Sequence, residues 1–263
     1  MRLKDKVVLV TGSTGGIGYA IANTCAREGA CVVIQGRRVG VAEEAAARIA
    51  EETGAKTAAA AGDLTEPDAA EAAVAATQAA FGRIDGLVNN AGVSPRADIE
   101  TMTAELFDST FALNTRAPML LIQAAVKRFK AQGSGGSVVN IGSINAWCGA
   151  PNLLVYSAAK GALMTMTRNL GDALGEDNIR VNQLNVGWTW TENEHQLQLA
   201  EGKGEDWMEQ LPSAYAPSGS ILHGEQVAQH AAFWLSDDSG PVTGQVYEVE
   251  QYPVLGRNRI SER

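Results

Sequence analysis

The stretch VYSAAKGAL, residues 155–163, places the phenol of Tyr156 and the amine of Lys160 four residues apart in a run of small, helix-forming side chains. On a helix the two fall on one face, a turn apart. The chemistry open to such a pair is proton transfer. A free phenol titrates near ~10, and a neighbouring ammonium stabilises its anion by about 1.4 kcal/mol for each unit of downward shift. The same spacing also describes a solvated surface pair, so the rest of the chain has to decide.

Near the start, VLVTGSTGGIGYAIA runs a short apolar stretch into a glycine-rich turn and then a helical pattern. Gly12, Gly16 and Gly18 form a G-x-x-x-G-x-G arrangement. Missing side chains let backbone approach a pyrophosphate, and a helix N-terminus offers unpaired N–H groups to it. Placement on the first strand-to-helix turn argues against a purely structural role. The next strand ends VVIQGRR, where a fold that prefers NAD carries a carboxylate for the adenosine ribose. Here stand Gly36, which leaves room for a 2′-phosphate, and Arg37 and Arg38, whose guanidinium groups can bind it or remain solvated surface charges. The expected cofactor is NADP in preference to NAD.

The elements that must hold these groups alternate along the chain. KVVLVTG, CVVIQG, KTAAAAGD, DGLVNNAG, GSVVNIGS, IRVNQLNVG and GQVYEVE read as strands, separated by alanine-rich helical stretches such as 41–52 and 69–80. Continuous apolar runs indicate strands covered on both faces. The expectation is an α/β, doubly wound Rossmann-type fold with a seven-stranded parallel sheet flanked by helices, in one domain over 1–263. The alternation breaks over 188–224, a long, irregular segment rich in tryptophan and acidic residues. Such insertions are commonly lids or binding loops, and here a mobile lid over the substrate is expected.

The chain has 263 residues, 45% of them hydrophobic, and a formal net charge of −9, which argues against a nucleic-acid footprint. No apolar run approaches membrane-spanning length, and Val7 to Val10 is too short a run for a signal peptide, so a cytoplasmic protein without a membrane partner is expected. Cys25, Cys31 and Cys148 are odd in number and lack metal-ligand spacing; they read as free thiols, with Cys148 near the site but most simply inert. His195, His223 and His230 form no ligand cluster, and no metal is expected.

Taken in order, TGSTGGIG, GDL at Asp63-Leu64, NNAG at 89–92, Asn114 in ALNTRAP, Ser143 in NIGSINAW, and Tyr156 with Lys160 make the chain resemble the short-chain dehydrogenases/reductases over nearly its whole length. The resemblance implies that Tyr156 is the general acid/base in hydride transfer between nicotinamide and a secondary alcohol/ketone pair. It implies that Lys160 lowers the Tyr156 pKa and bonds the nicotinamide ribose, Ser143 holds the substrate oxygen, and Asn114 positions a relay water. Cofactor contacts are implied for Gly12, Ser13, Thr14, Gly16, Ile17 and Gly18 in the turn, Arg37 and Arg38, Asp63 and Leu64 at the adenine, and Asn90, Ala91 and Gly92 at the cleft floor. The family commonly has Pro-Gly after the sixth strand; this chain has Val186-Gly187, so Gly187 with Thr189 or Thr191 should shape the nicotinamide pocket. Where members often end a strand Val-Asp-Gly-Gly, this chain has EVEQYPVLGRNR, which alters the far wall of the site.

Flat rings beside polar groups suggest a sugar, polyol or related hydroxy substrate, bound by Ser143, Asn145, Trp147, Tyr156, Trp188 and Trp190. The tryptophans serve core or subunit packing equally well. A 3-oxoacyl or other apolar ketone reductase, or a catalytically silent dinucleotide-binding protein, are the competing readings. The resemblance further implies a homodimer or homotetramer joined through helices near 103–130 and 153–174.

Overall fold

A computed structural model describes residues 1–255; the end of the EVEQYPVLGRNR stretch, from residue 256 on, lies outside the described residues. The elements run β1 (Val7–Val10), α1 (Gly16–Arg27), β2 (Cys31–Gly36), α2 (Val39–Thr53), β3 (Thr57–Ala61), α3 (Pro67–Phe81) and β4 (Gly86–Asn89). They continue with α4 (Ala104–Phe111), α5 (Ala117–Gln132), β5 (Gly136–Ser143), α6 (Asn145–Cys148), α7 (Leu154–Ala173) and β6 (Ile179–Val186). Then follow β7 (Thr189–Trp190), α8 (Glu192–Ala200), β8 (Leu222–His223), α9 (Gly224–Leu235) and β9 (Val246–Val249).

The main sheet has seven strands in the order β3-β2-β1-β4-β5-β6-β9, every pair parallel. All seven coincide with the apolar runs in the sequence. Strand side chains alternate between two cores. Val8, Val10, Val32 and Ile34 pack with Ile21, Ile49 and Val227 of α1, α2 and α9. Leu9, Val33, Leu87 and Val138 pack on the other face with Val74, Leu121, Phe129 and Leu163 of α3, α5 and α7. The winding direction reverses between β1 and β4, which opens a crevice at their carboxyl ends.

A chain of buried amides crosses the second core. Asn89 Nδ2 donates to Asn140 Oδ1 at 2.8 Å, and Asn140 Nδ2 donates to Thr167 Oγ1 at 2.9 Å. The Thr167 hydroxyl lies 3.0 Å from Gln183 Oε1, and Gln183 Nε2 donates to Asn185 Oδ1 at 2.7 Å.

Two sequence expectations are corrected. The helix expected near 103–130 is divided by a π-helical turn, Ala112–Arg116, between α4 and α5, and that turn carries Asn114. The segment 188–224 is not irregular throughout: it holds α8 and the two-stranded parallel pair β7–β8. It also has its own small core of Trp207, Ala216 and Ile221 against Trp188, Trp190, Met208 and Leu211. No helix among the described residues is long and apolar enough to cross a membrane.

Candidate active site

The glycine turn after β1 is clamped from both sides. The buried Gln35 of β2 accepts from Gly12 N at 3.2 Å and donates to Gly62 O at 2.9 Å. Thr11 Oγ1 accepts from Asn90 N and Ala91 N at 3.0 and 3.1 Å, and Asn90 Nδ2 donates back to the carbonyls of Thr11 and Gly12. Gly12 adopts φ +60°, and a Cβ there would stand 2.8 Å from Ala91 Cα. A Cβ on Gly18 would stand 2.4 Å from both Asn90 Nδ2 and Gly12 O. Only glycine permits this close approach. Helix α1 then opens with no side-chain cap, leaving its first N–H groups to an outside acceptor. Ser13, expected among cofactor contacts, is fully buried, and its hydroxyl serves the turn through Val10 O and Gln35 N. Thr14 sits against Gly36, and Ile17 lines the cleft.

Arg37 and Arg38 are exposed at the end of β2. Asp63, after β3, is held below the usual carboxylate range by hydrogen bonds from Thr65 N and Oγ1, aided by the Arg37 charge. Leu64 turns its side chain into the core, so any ligand contact there falls to its backbone.

The proposed acid–base groups meet where β5 ends. Ser143 is its last residue; its Oγ accepts from Asn145 N at 3.2 Å, and it lines the cleft beside Tyr156, whose pKa it lowers. Both Tyr156 and Lys160 project from α7. Lys160 is buried, and its Nζ donates to Ile141 O at 2.7 Å while standing 5.8 Å from the Tyr156 ring centroid. Asn114 is locked by Val93, whose N–H it accepts at 2.9 Å and whose carbonyl it reaches at 2.7 Å. Gly92 separates Asn114 from Lys160: a Cβ there would stand 2.9 Å from Asn114 Oδ1 and 3.6 Å from Lys160 Nζ.

The expectation that Lys160 lowers the Tyr156 pKa is not met. Burial pushes the phenol up, partly offset by the Ser143 hydroxyl and the Arg96 charge. Burial also pushes the Lys160 ammonium down to about 8. The physical reason is that the same dry pocket penalises both charged forms.

These groups form the floor of a cleft of about 870 Å³. Asn90, Gly92, Gly187, Thr189 and Thr191 line it at the cofactor end, and Asn145 and Trp188 line it beside Ser143. Thr191 Oγ1 caps α8 by accepting from Glu194 N, whereas Thr189 Oγ1 donates to Gly187 O. Trp147 and Trp190 are not cleft-lining residues. Trp147 faces Arg168, and Trp190 packs in the small core of 188–224 beside His223.

Sequence reasoning missed three contributors. Arg96 lines the cleft and pairs with Glu201 of the segment above it at 2.9 Å. Glu250 accepts from Trp188 N at 3.2 Å, and it fills the space beside Gly187 so closely that a Cβ there would meet it at 2.0 Å. Lys203 lies against the indoles of Trp188 and Trp207. The thiols play no part in this geometry: Cys25 is buried and pushed up to about 12, and Cys148 is exposed.

Residues 12–251 match the family described as enoyl-(acyl carrier protein) reductase. The chain is 36% identical to L-rhamnose 1-dehydrogenase (NAD(P)(+)) of Azotobacter vinelandii, over 93% of this chain and 94% of that protein. It is 34% identical to dehydrogenase/reductase SDR family member 4 of Homo sapiens, over 94% of this chain and 87% of that protein. Its fold is similar to that of L-sorbose reductase from Gluconobacter frateurii, solved with NADPH and L-sorbose, at a TM-score of 0.89 and 31% identity, covering 95% of this chain and 97% of that one. Likeness of this extent, on a sheet whose strand ends bring Ser143 to Tyr156 and Lys160, means that the chain belongs to the short-chain dehydrogenase/reductase family of oxidoreductases.

Proposed function

We propose that the protein interconverts a secondary alcohol and a ketone with a nicotinamide dinucleotide, NADP(H) in preference to NAD(H), and that its substrate is a sugar, polyol or related hydroxy compound. The carrying observation is a phenol beside a serine hydroxyl and backed by a buried amine, on the floor of a cleft that runs to the glycine turn. The space kept by Gly12 and Gly18 and the uncapped start of α1 fit a dinucleotide pyrophosphate. Arg37 and Arg38 would take a 2′-phosphate, Asp63 and the Leu64 backbone the adenine, Lys160 the nicotinamide ribose, and Asn90 to Gly92 with Gly187, Thr189 and Thr191 the nicotinamide. When bound, the dinucleotide supplies or accepts the hydride.

Tyr156 holds the proton. Burial favours the neutral phenol, the form that donates to a carbonyl oxygen during reduction. In oxidation the same oxygen takes the proton back. Ser143 Oγ holds the substrate oxygen and steadies its developing charge. Lys160 places an ammonium behind the phenol, and Asn114, two hydrogen bonds deep in its π turn, marks the route by which a water would connect Lys160 to solvent.

Relatives that act on sugars support the substrate class, as do the polar groups of Asn145, Asn193 and Gln198 in the cleft. The segment 188–224 would close over the substrate. Exposed Phe107, Met119 and Leu154 on α4, α5 and α7 support assembly as a homodimer or homotetramer. The matched family's description favours a second reading, reduction of the carbon–carbon double bond of an enoyl thioester. A panel of polyols, ketoses, simple ketones, 3-oxoacyl thioesters and 2-enoyl thioesters, assayed with NADPH and NADH, separates them. Turnover of hydroxy compounds with a higher kcat/KM for NADP(H) is expected. Turnover of thioesters alone, or clear preference for NAD(H), would overturn the substrate or the cofactor assignment respectively.

A further inference from the structure

A second cavity of about 660 Å³ lies within segment 188–224, walled by Trp188, Trp207, Leu211, Pro212 and Tyr215, with Lys203 as the charged residue on its lining. Trp188, Lys203 and Tyr215 also line the catalytic cleft, so the two spaces share walls. Trp188 and Trp207 stack with centroids 5.5 Å apart, and Tyr215 meets Trp188 edge-on at 6.5 Å. The Lys203 ammonium stands 5.2 and 5.5 Å from the two indole centroids.

The aromatic setting of this ammonium includes no acidic partner. Nearby carboxylates are engaged elsewhere: Glu194 by Trp188 Nε1 and Gln198, Glu201 by Arg96, Glu205 by His195, and Asp206 by Gln210. Among the described residues none of them pairs with Lys203. The segment contains no other lysine or arginine. Lys203 is exposed, and an ammonium lying over ring faces can exchange that contact for a stronger charge-assisted hydrogen bond when an anion arrives.

We propose that this cavity is an anion subsite that receives a carboxylate, phosphate or sulfonate at the far end of the substrate whose carbinol or keto carbon meets Tyr156. The proposal rests on the alcohol/ketone reading above and narrows its substrate class to compounds with a distal negative charge.

The test compares levulinate and its longer oxo-acid homologues with their methyl esters, reduced by the holoenzyme with NADPH. In the wild type, kcat/KM for the best acid should exceed that of its ester by about ten-fold, as expected for one charge-assisted hydrogen bond, and added salt should narrow the gap. Lys203→Met, which keeps the apolar stem, should bring the acid-to-ester ratio near one, and Lys203→Arg should restore it. Phosphonate and sulfonate analogues of the best acid rank the anion. Esters turned over with no advantage for acids, or a ratio unchanged in Lys203→Met, overturns the subsite alone. Absence of turnover for the whole set counts instead against the alcohol/ketone reading. Tryptophan fluorescence titrated with hexanoate and methyl hexanoate reads the cavity without turnover. A saturable change with hexanoate only, lost in Lys203→Met, supports the subsite, and equal responses to both overturn it.

Discussion

Replacing Lys160 by Met should stabilise the cofactor-free protein while destroying its activity. Lys160 is only 5% exposed, and its ammonium donates to Ile141 O at 2.7 Å. Burial lowers its pKa from 10.5 to about 8. That drop of about 2.5, at about 1.4 kcal/mol for each pKa unit, costs the folded state about 3 kcal/mol wherever the ammonium persists. Below pH 8 both folded and unfolded chains hold the proton, so the whole cost is present. Between pH 8 and 10.5 the unfolded chain keeps a proton that the folded chain has shed, and stability rises with pH. Methionine removes the charge and forfeits the Ile141 hydrogen bond, worth about 1 kcal/mol. The net gain at pH 7 should be about 2 kcal/mol, or roughly 4–8 °C in Tm for a chain of this size. Urea denaturation at pH 7 and pH 10 measures it. At pH 10 the folded wild type has lost the ammonium, its penalty has fallen to about 1 kcal/mol, and the advantage of Met should nearly vanish. A Lys160→Met protein no more stable than wild type at pH 7, or equally favoured at both pH values, would refute the reasoning.

Tyr156→Phe should abolish turnover and leave cofactor affinity, read by fluorescence titration, nearly intact, because the ring stays and only the proton donor goes; retention of more than a small fraction of the rate would displace Tyr156 from its assigned role. Gly36→Asp alone should weaken both cofactors, since a Cβ there stands 2.6 Å from Thr14 Cγ2, whereas Gly36→Asp with Thr14→Ser should reverse preference towards NAD(H) in kcat/KM. Gly187→Ala should drive Glu250 out of its contact with Trp188 N and lower both Tm and turnover, and a variant with wild-type values would show that this wall is pliable.

Much of this geometry is legible in the sequence because it is local or periodic. Each strand is a short apolar run, and the Tyr156–Lys160 pair needs only one turn of helix to face one way. The glycine turn announces itself by residue types that no other backbone path requires. The misses lie where contacts are distant in the chain and carry no period. Arg96 meets Glu201 across 105 residues, and Glu250 reaches Trp188 across 62, so neither pairing leaves a mark on local composition. The Trp147 and Trp190 expectations placed rings by sequence neighbourhood alone; the extra backbone pairing of β7 with β8 carries Trp190 away from the cleft. The Tyr156 pKa expectation named the nearby cation and left out the desolvation that acts on both groups, which depends on a burial visible only once the chain is folded.

The buried amide chain from Asn89 to Asn185 has a consequence for how the sheet is assembled. Runs such as SVVNI contain so many neighbouring apolar positions that β5 or β6 could slide by a residue and still bury apolar groups on both faces. The amides remove that ambiguity. Gln183 and Asn185 alternate with Leu184 and Val186, which belong to the opposite core, so a one-residue slip of β6 would thrust two carboxamides among Val227 and Ala231 and leave Asn140 and Thr167 facing hydrocarbon. Each stranded group would cost about 1–3 kcal/mol. Gly142 belongs to the same lock, for a Cβ there would stand 2.3 Å from Asn185 Oδ1. The central strands are thereby keyed to a single alignment, and it is this alignment that sets Ser143, the residue paired with Val186 at the end of β5, level with the phenol it must touch.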